Sequence, residues 1–275
     1  MDFQEAPIEK KMQHLKERMR DLGSVLVAFS GGVDSSFLLA VATEVLHDHV
    51  VALMTVSSST PPADAQQAVS LARSLRVQLL TIQHDELAIA EYAANPTNRC
   101  YFCKNSLYEI CRREADRLGI RFIVDGVNVD DLKDYRPGLQ AAREYGVVHP
   151  LVDAGFSKED IRRGSLLLEL PTWDKPASPC LSSRVPYGTP ITSVMLAQIA
   201  RAESFLHALG LKEVRVRHHG GSARLELREG DLAQFATPAT VKKMVERIKE
   251  LGFASVVLDL EGYRSGVFNE GLRSK

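Results

Sequence analysis

Seven consecutive residues, Ser30-Gly31-Gly32-Val33-Asp34-Ser35-Ser36, have the composition of a phosphate cradle. The glycines let backbone approach a ligand closely and adopt positive φ. A run of N–H groups leading into a helix N-terminus then attracts an anion. No Gly-Lys-Ser/Thr is present, so the loop is not of the Walker type. Asp34 is the carboxylate expected to hold Mg²⁺ against nucleotide phosphates, because that ion is usually bound by a carboxylate plus substrate oxygens. A second locus is sulfur. Cys100 and Cys103 form a C-x-x-C at the opening of a helix, and Cys180 follows a proline-punctuated stretch. A lone C-x-x-C has three readings: half a zinc site, a redox pair, or part of an iron–sulfur site. Three thiolates suit a [4Fe–4S] cluster with one iron left without a protein ligand. Cys180 alone, with Arg184 nearby to favour its thiolate, would be a nucleophile or sulfur donor. Cys111 shares a helical face with Leu107, Ile110 and Leu118 and reads as core. A third locus is cationic. Arg215 and Arg217 alternate along one strand and so share a face. With Arg184 and Arg264 they could clamp a phosphate through planar guanidinium groups.

Elements must position these groups. Apolar runs at 24–29, 50–56, 77–82, 121–124 and 147–150 read as strands, and helix-period segments at 35–46, 63–75, 103–118 and 138–145 lie between them. Continuously apolar strands separated by amphipathic helices predict an α/β fold, a doubly wound and mostly parallel sheet. Ligands of such sheets bind beyond the carboxyl ends of the strands, which is where the Ser30–Ser36 loop falls. On the same edge, acidic residues of the segment from Val129 to Arg136 could finish a Mg²⁺ site, and Arg136 could meet a phosphate; the alternative is a solvated acidic loop. Ser157 is an expected N-cap with Asp160 three residues on. Residues 171–179 form the expected boundary, placing a nucleotide domain over 1–170 and a smaller α+β domain over 171–275. In the latter, helices at 191–209 and 239–251 flank a hairpin joined through His218-His219-Gly220-Gly221, followed by a strand at 255–260. His218 and His219 read as turn residues, Glu203 as an exposed helix carboxylate or one facing the same pocket as the arginines, and Trp173 as packing at the connector.

Bulk properties narrow the partners. In 275 residues the net charge is −1, with 45% hydrophobic and 25% charged residues. A nucleic-acid-coating protein would show a basic excess, so no nucleic acid partner is expected. The first 20 residues are polar and helix-favouring without an apolar signal core, and no apolar run approaches a membrane span, so neither secretion nor membrane attachment is expected. A cytoplasmic, reducing compartment follows, with the four cysteines as thiols, ligands or catalysts.

The loop matches the SGG-x-DS pattern of the PP-loop ATP pyrophosphatases. With it stand Arg99-Cys-Tyr-Phe-Cys-Lys104, Asp134-Tyr-Arg-Pro-Gly138, Ser178-Pro-Cys-Leu-Ser-Ser-Arg-Val-Pro-Tyr-Gly188, Val214-Arg-Val-Arg-His-His-Gly220 and Asp259-Leu-Glu-Gly-Tyr-Arg264. Together these blocks, spanning residues 25 to 265, resemble the LarE family of ATP-dependent sulfur transferases. The resemblance implies ATP with Mg²⁺, bound through Ser30, Gly31, Gly32, Asp34, Ser35 and Ser36, and a small mononucleotide substrate, pyridinium-3,5-biscarboxylic acid mononucleotide. Its carboxylates would be adenylated and converted to thiocarboxylates for the nickel-pincer nucleotide cofactor of lactate racemase. It also implies catalytic roles for Asp34 and Cys180, substrate-phosphate roles for Arg184, Arg215 and Arg217, and a homo-oligomer, a hexamer in that family. One form of the family sacrifices the cysteine matching Cys180; another binds a [4Fe–4S] cluster through three cysteines. Cys100, Cys103 and Cys180 match the cluster form. Rival readings are an RNA thiolation enzyme, an amide-forming ligase such as an NAD or GMP synthetase, and a nucleotide sensor without activity.

Overall fold

The structure is a computed structural model and describes residues 6–211, 213–228, 230–231 and 237–264. The described residues gather into two compact units. The first is built from residues up to 57 with 62–86 and 98–178, and the second from 58–61, 87–97 and the residues from 179 on.

The elements run α1 (Ile8–Leu22), β1 (Val25–Ala28), α2 (Val33–Leu46), β2 (Val50–Val56), α3 (Pro62–Ser74), β3 (Gln78–Gln83), a short α4 (Ala90–Ala93) that belongs to the second unit, α5 (Arg99–Leu118), β4 (Phe122–Val124), α6 (Gly138–Glu144), α7 (Pro150–Asp153) and α8 (Lys158–Leu167). The sheet order is β3-β2-β1-β4, every pairing parallel. Alternation along β1 shows why both faces are covered. Val25 and Val27 join one core with Met19 of α1, Phe37 of α2, Leu71 of α3 and Ile161 of α8. Leu26 and Ala28 join another with Tyr108 and Cys111 of α5 and Ala141 of α6. A strand apolar at every position thus feeds two layers of helices, as expected for a parallel sheet.

One expected strand is absent. Over 147–150 only Val148 pairs, by a single parallel bridge to Val124, and Pro150 opens α7. Proline has no N–H for a ladder and a φ preset for a first helical turn, so helix wins there. The cap at Ser157 has the expected form: its hydroxyl accepts from Asp160 N while the Asp160 carboxylate accepts from Ser157 N. The same carboxylate holds the buried Lys11 ammonium at 2.7 Å, tying α1 to α8.

In the second unit α9 (Ser193–Ala208) precedes β5 (Val214–His219), β6 (Ser222–Leu227), α10 (Pro238–Glu250) and β7 (Ser255–Leu258). β6 is central, antiparallel to β5 and parallel to β7. Gly220 and Gly221 have φ of +54° and +88°, as a two-residue primed turn demands. The hairpin therefore turns on the glycines alone. His218 and His219 are strand residues and not turn residues; His218 is buried, and burial presses its pKa below the ordinary histidine range. Residues 87–97 join this unit through specific bonds: Asn95 Nδ2 donates to the carbonyls of Pro186 (2.8 Å) and Thr189 (2.9 Å), and Tyr92 Oη lies 2.6 Å from Ser182 Oγ. Ser59 O likewise accepts from Leu181 N at 2.8 Å.

Candidate functional site

The Ser30–Ser36 loop leaves the carboxyl end of β1 and enters α2. Gly31 has φ +70°, and a Cβ there would meet the Ala68 Cβ at 2.6 Å, so α3 packs where only a glycine fits. Gly32 is the N-cap of α2 and contributes no side-chain cap. The hydroxyls organise the turn: Ser30 Oγ and Ser35 Oγ lie 3.0 Å apart, Ser35 Oγ donates to Gly32 O at 3.3 Å, and Ser30 Oγ accepts from Gly32 N at 3.4 Å. The Ser36 hydroxyl is fully buried and has no hydrogen-bond partner. Gly126, just past β4, backs the helix start so closely that a Cβ would sit 2.7 Å from Ser35 N. A strand end, glycines and a helix N-terminus thus meet at one turn, the kind of arrangement that binds phosphate.

Asp34 lies in the first turn of α2. Burial raises its pKa above the ordinary carboxylate range, the neighbouring Asp131 charge adds to the rise, and Lys158, Arg136 and Arg162 oppose it. Asp131 is itself buried. It pairs with Arg136 Nη2 at 2.7 Å and Lys158 Nζ at 3.3 Å, so the loop is not merely a solvated acidic one. Asp130 is more exposed; its carboxylate accepts from Lys158 N at 2.9 Å and pairs with Lys133. Two carboxylates within mutual electrostatic reach at a phosphate cradle are what a divalent cation travelling with a nucleotide requires.

Other groups on this sheet edge carried no signal in the sequence. Asp125, directly before Gly126, is buried; it accepts from Tyr108 Oη at 2.6 Å and meets His149 Nδ1 at 2.7 Å. Burial opposes charge on His149, but the bond to Asp125 and its negative charge outweigh that and raise the histidine pKa. Burial also opposes charge on Asp125, and the same bond outweighs it and holds the carboxyl below its usual range. Lys175 comes from the connector; its ammonium lies 3.1 Å from Gly31 O and 2.9 Å from Asp64 Oδ1.

Cys100 and Cys103 lie in the first unit, in the opening turns of α5, with Cys100 exposed and Cys103 half-buried. Cys103 Sγ donates to the buried Glu86 Oε1 at 3.2 Å, while Glu86 Oε2 accepts from Ser57 Oγ at 2.8 Å. Gly138 packs against this turn: a Cβ there would meet Lys104 Cγ at 2.8 Å. Cys111 is buried, its thiol pushed up to about 12 by burial. Cys180 lies in the second unit, half-buried at the start of a single turn over Leu181–Arg184. Among the described residues, no three His, Cys, Asp or Glu side chains are gathered in a way that would hold a metal ion. None of the four cysteines is joined in a disulfide.

Three arginines of the second unit, Arg184, Arg215 and Arg217, are built into its core. Arg184, 1% exposed, makes a two-pronged bond to Glu203 with both contacts at 2.9 Å. Its Nη1 donates to the carbonyls of Pro179 (2.6 Å) and Cys180 (3.2 Å), fixing the backbone that carries the cysteine. Glu203 also accepts from Val216 N at 3.0 Å. It is therefore a buried partner of Arg184, not an exposed helix carboxylate. Arg217 forks onto Glu226 at 3.0 and 2.8 Å. Arg215 lies over the Tyr263 ring at 5.0 Å and donates to Val214 O. Burial, with the like charge of Arg184 behind it, lowers its pKa from the ordinary arginine value. Arg264 pairs with Glu261 at 2.5 Å near the surface. Trp173, expected to pack, is 42% exposed; its carbonyl, held by Arg162 Nη1 at 2.8 Å, is the anchored part.

Residues 7–105, which contain the loop, match the NAD synthase family model. The chain is 44% identical over 265 residues to an uncharacterized protein of Synechocystis sp., covering 96% of this chain and 99% of that one. A protein of Methanocaldococcus jannaschii, also uncharacterized, is 29% identical over 93% of this chain and 96% of its own length. The pyridinium-3,5-bisthiocarboxylic acid mononucleotide synthase of Lactiplantibacillus plantarum is 37% identical over 268 residues, covering 97% of this chain and 96% of the synthase. The chain belongs to the LarE family. As a LarE-family member it is an enzyme, a transferase of the PP-loop ATP pyrophosphatase superfamily. Its parallel sheet and glycine turn are the PP-loop fold, and the likeness to the synthase runs over nearly the whole of both chains. No helix among the described residues is long and apolar enough to cross a membrane.

Proposed function

We propose that this enzyme adenylates the carboxylates of pyridinium-3,5-biscarboxylic acid mononucleotide with ATP and exchanges the adenylate for sulfur. A substrate carboxylate oxygen attacks the α-phosphorus, pyrophosphate leaves, and the acyl adenylate becomes open to a sulfur nucleophile. Sulfur attacks the carbonyl, AMP departs and a thiocarboxylate remains. The observation that carries this reading is the Ser30–Ser36 turn, with Asp34 and Asp131 beside it, in a chain alike end to end to a synthase whose name states the product. The turn's amides and the Ser30, Ser35 and Ser36 hydroxyls would hold the departing pyrophosphate. Asp34, with Asp131, would receive Mg²⁺; the three cations around them oppose the mutual repulsion until it arrives.

Sulfur delivery involves Cys180, and Cys100 and Cys103 suit the cluster-bearing form. Soft thiol donors, outside any disulfide and not deeply buried, fit an iron–sulfur cluster. When bound through Cys100, Cys103 and Cys180, a [4Fe–4S] cluster would supply a transferable sulfide. Glu86 is placed to accept the Cys103 proton on ligation. Arg215 takes the substrate phosphate in this account, with Arg184 and Arg217 held in position by Glu203 and Glu226. A cytoplasmic homo-oligomer, hexameric as the resemblance implies, completes the proposal. The test is mass spectrometry of the protein after turnover with ATP, Mg²⁺, substrate and sulfide. Unchanged Cys180, with about four irons per chain after anaerobic reconstitution, supports the cluster route. Loss of one H₂S from Cys180 favours the sacrificial route. Stoichiometric zinc without iron refutes the cluster.

A further inference from the structure

The phosphate turn lacks a lysine of its own, yet the structure brings one to it. We infer that Lys175, carried on the proline-punctuated connector, is a phosphate-binding residue of the ATP site that releases Asp64 when the nucleotide's terminal phosphates arrive. This rests on the reading of the Ser30–Ser36 turn as an ATP site.

Lys175 has little solvent around it, with 12% of its side chain exposed, and its ammonium bonds the carbonyl of Gly31, the positive-φ residue of the turn. A lysine is rarely buried unless paired, and the partner is Asp64 at 2.9 Å. Asp64 does not depend on that lysine alone. Its other oxygen accepts from Ser178 Oγ at 2.5 Å, and it lies in the first turn of α3, where the helix dipole favours negative charge. The carboxylate therefore stays stabilised if the ammonium turns away. The lysine backbone is fixed separately: Arg162 Nη2 grips the Lys175 carbonyl and Nη1 the Trp173 carbonyl, both at 2.8 Å. The result is an anchored backbone, a flexible four-carbon stem, and a compact charge resting on the phosphate turn with a counter-ion that can part from it. A phosphate ligand is a point charge best delivered on such a stem.

The test is calorimetric titration of the full chain with ATP, inorganic pyrophosphate and AMP, each with Mg²⁺. Lys175→Met is expected to weaken ATP and pyrophosphate by about ten-fold or more, the worth of one charge-assisted hydrogen bond, and to leave AMP unchanged. Lys175→Arg should recover part of the loss. Asp64→Asn removes the competing charge and should tighten pyrophosphate several-fold, whereas a structural strap predicts weakening by both variants. Equal pyrophosphate binding by wild type and Lys175→Met overturns the inference, as does parallel loss of AMP and pyrophosphate. Wild-type protein that binds neither ATP nor pyrophosphate overturns the underlying ATP-site reading instead.

Discussion

The phosphate turn of the first unit and the arginine core of the second use polar groups in opposite ways. Around Ser30–Ser36 the hydrogen bonds are long, 3.0 to 3.4 Å, the helix start has no side-chain cap, and a buried hydroxyl at Ser36 has no partner. Around Arg184 and Arg217 each guanidinium is forked onto a buried carboxylate at 2.8 to 3.0 Å. The first arrangement is costly for a protein by itself and leaves polar groups for a ligand to complete; the second is already complete. The contrast teaches that a cation in a recognisable motif can be scaffold as readily as ligand. Orphaned polar groups beside a glycine turn are the better sign of a binding site.

Glu203→Ala should break the comparison most severely. It strands a buried guanidinium and the Val216 amide, and removing one partner of such a pair costs about 3–5 kcal/mol. Urea unfolding should show that loss, while Glu203→Gln, which keeps acceptor and shape, should lose less. Gly31→Ala comes next. Its positive φ and the 2.6 Å approach to Ala68 should cost about 1–3 kcal/mol and displace the turn, so ATP binding should fall further than stability alone explains. Asp34→Ala leaves packing intact; AMP formation should be abolished with melting temperature almost unchanged, and undiminished turnover would refute its role.

The smallest effect concerns pH. The folded pKa of His149 is raised, so its contribution to stability is full below about 6.5, the unfolded value, and is lost as pH rises through the folded value. Asp125 is lowered, so its contribution is present above the ordinary carboxylate range and is lost as pH falls through the folded value. His149→Asn should therefore flatten the decline of stability on the alkaline side. A wild-type curve without that decline would contradict the pairing.

Local features were legible in the sequence and tertiary ones were not. The turn, the Ser157–Asp160 cap and a hairpin of 213–217 with 223–228 each arise within a few residues, although the pairing runs on through His218 and His219 to a turn of two glycines. Asp125 and His149 lie 24 residues apart and Lys11 and Asp160 149 apart, so no spacing rule joins them. Glu203 looks like any helix carboxylate until β5 is laid beside it. Pro150 misled the strand reading because β-branched Val147 and Val148 precede it, and a single bridge is all they form. Lys175 sat unnoticed among prolines, because a connector shows its role only once its backbone is anchored.

The central claim is tested most directly by product analysis. Protein incubated with ATP, Mg²⁺, the biscarboxylic mononucleotide and a sulfide source should yield AMP and pyrophosphate in equal amounts, with one thiocarboxylate per AMP. ADP with inorganic phosphate, or AMP formed together with an amide when ammonia replaces sulfide, would contradict it.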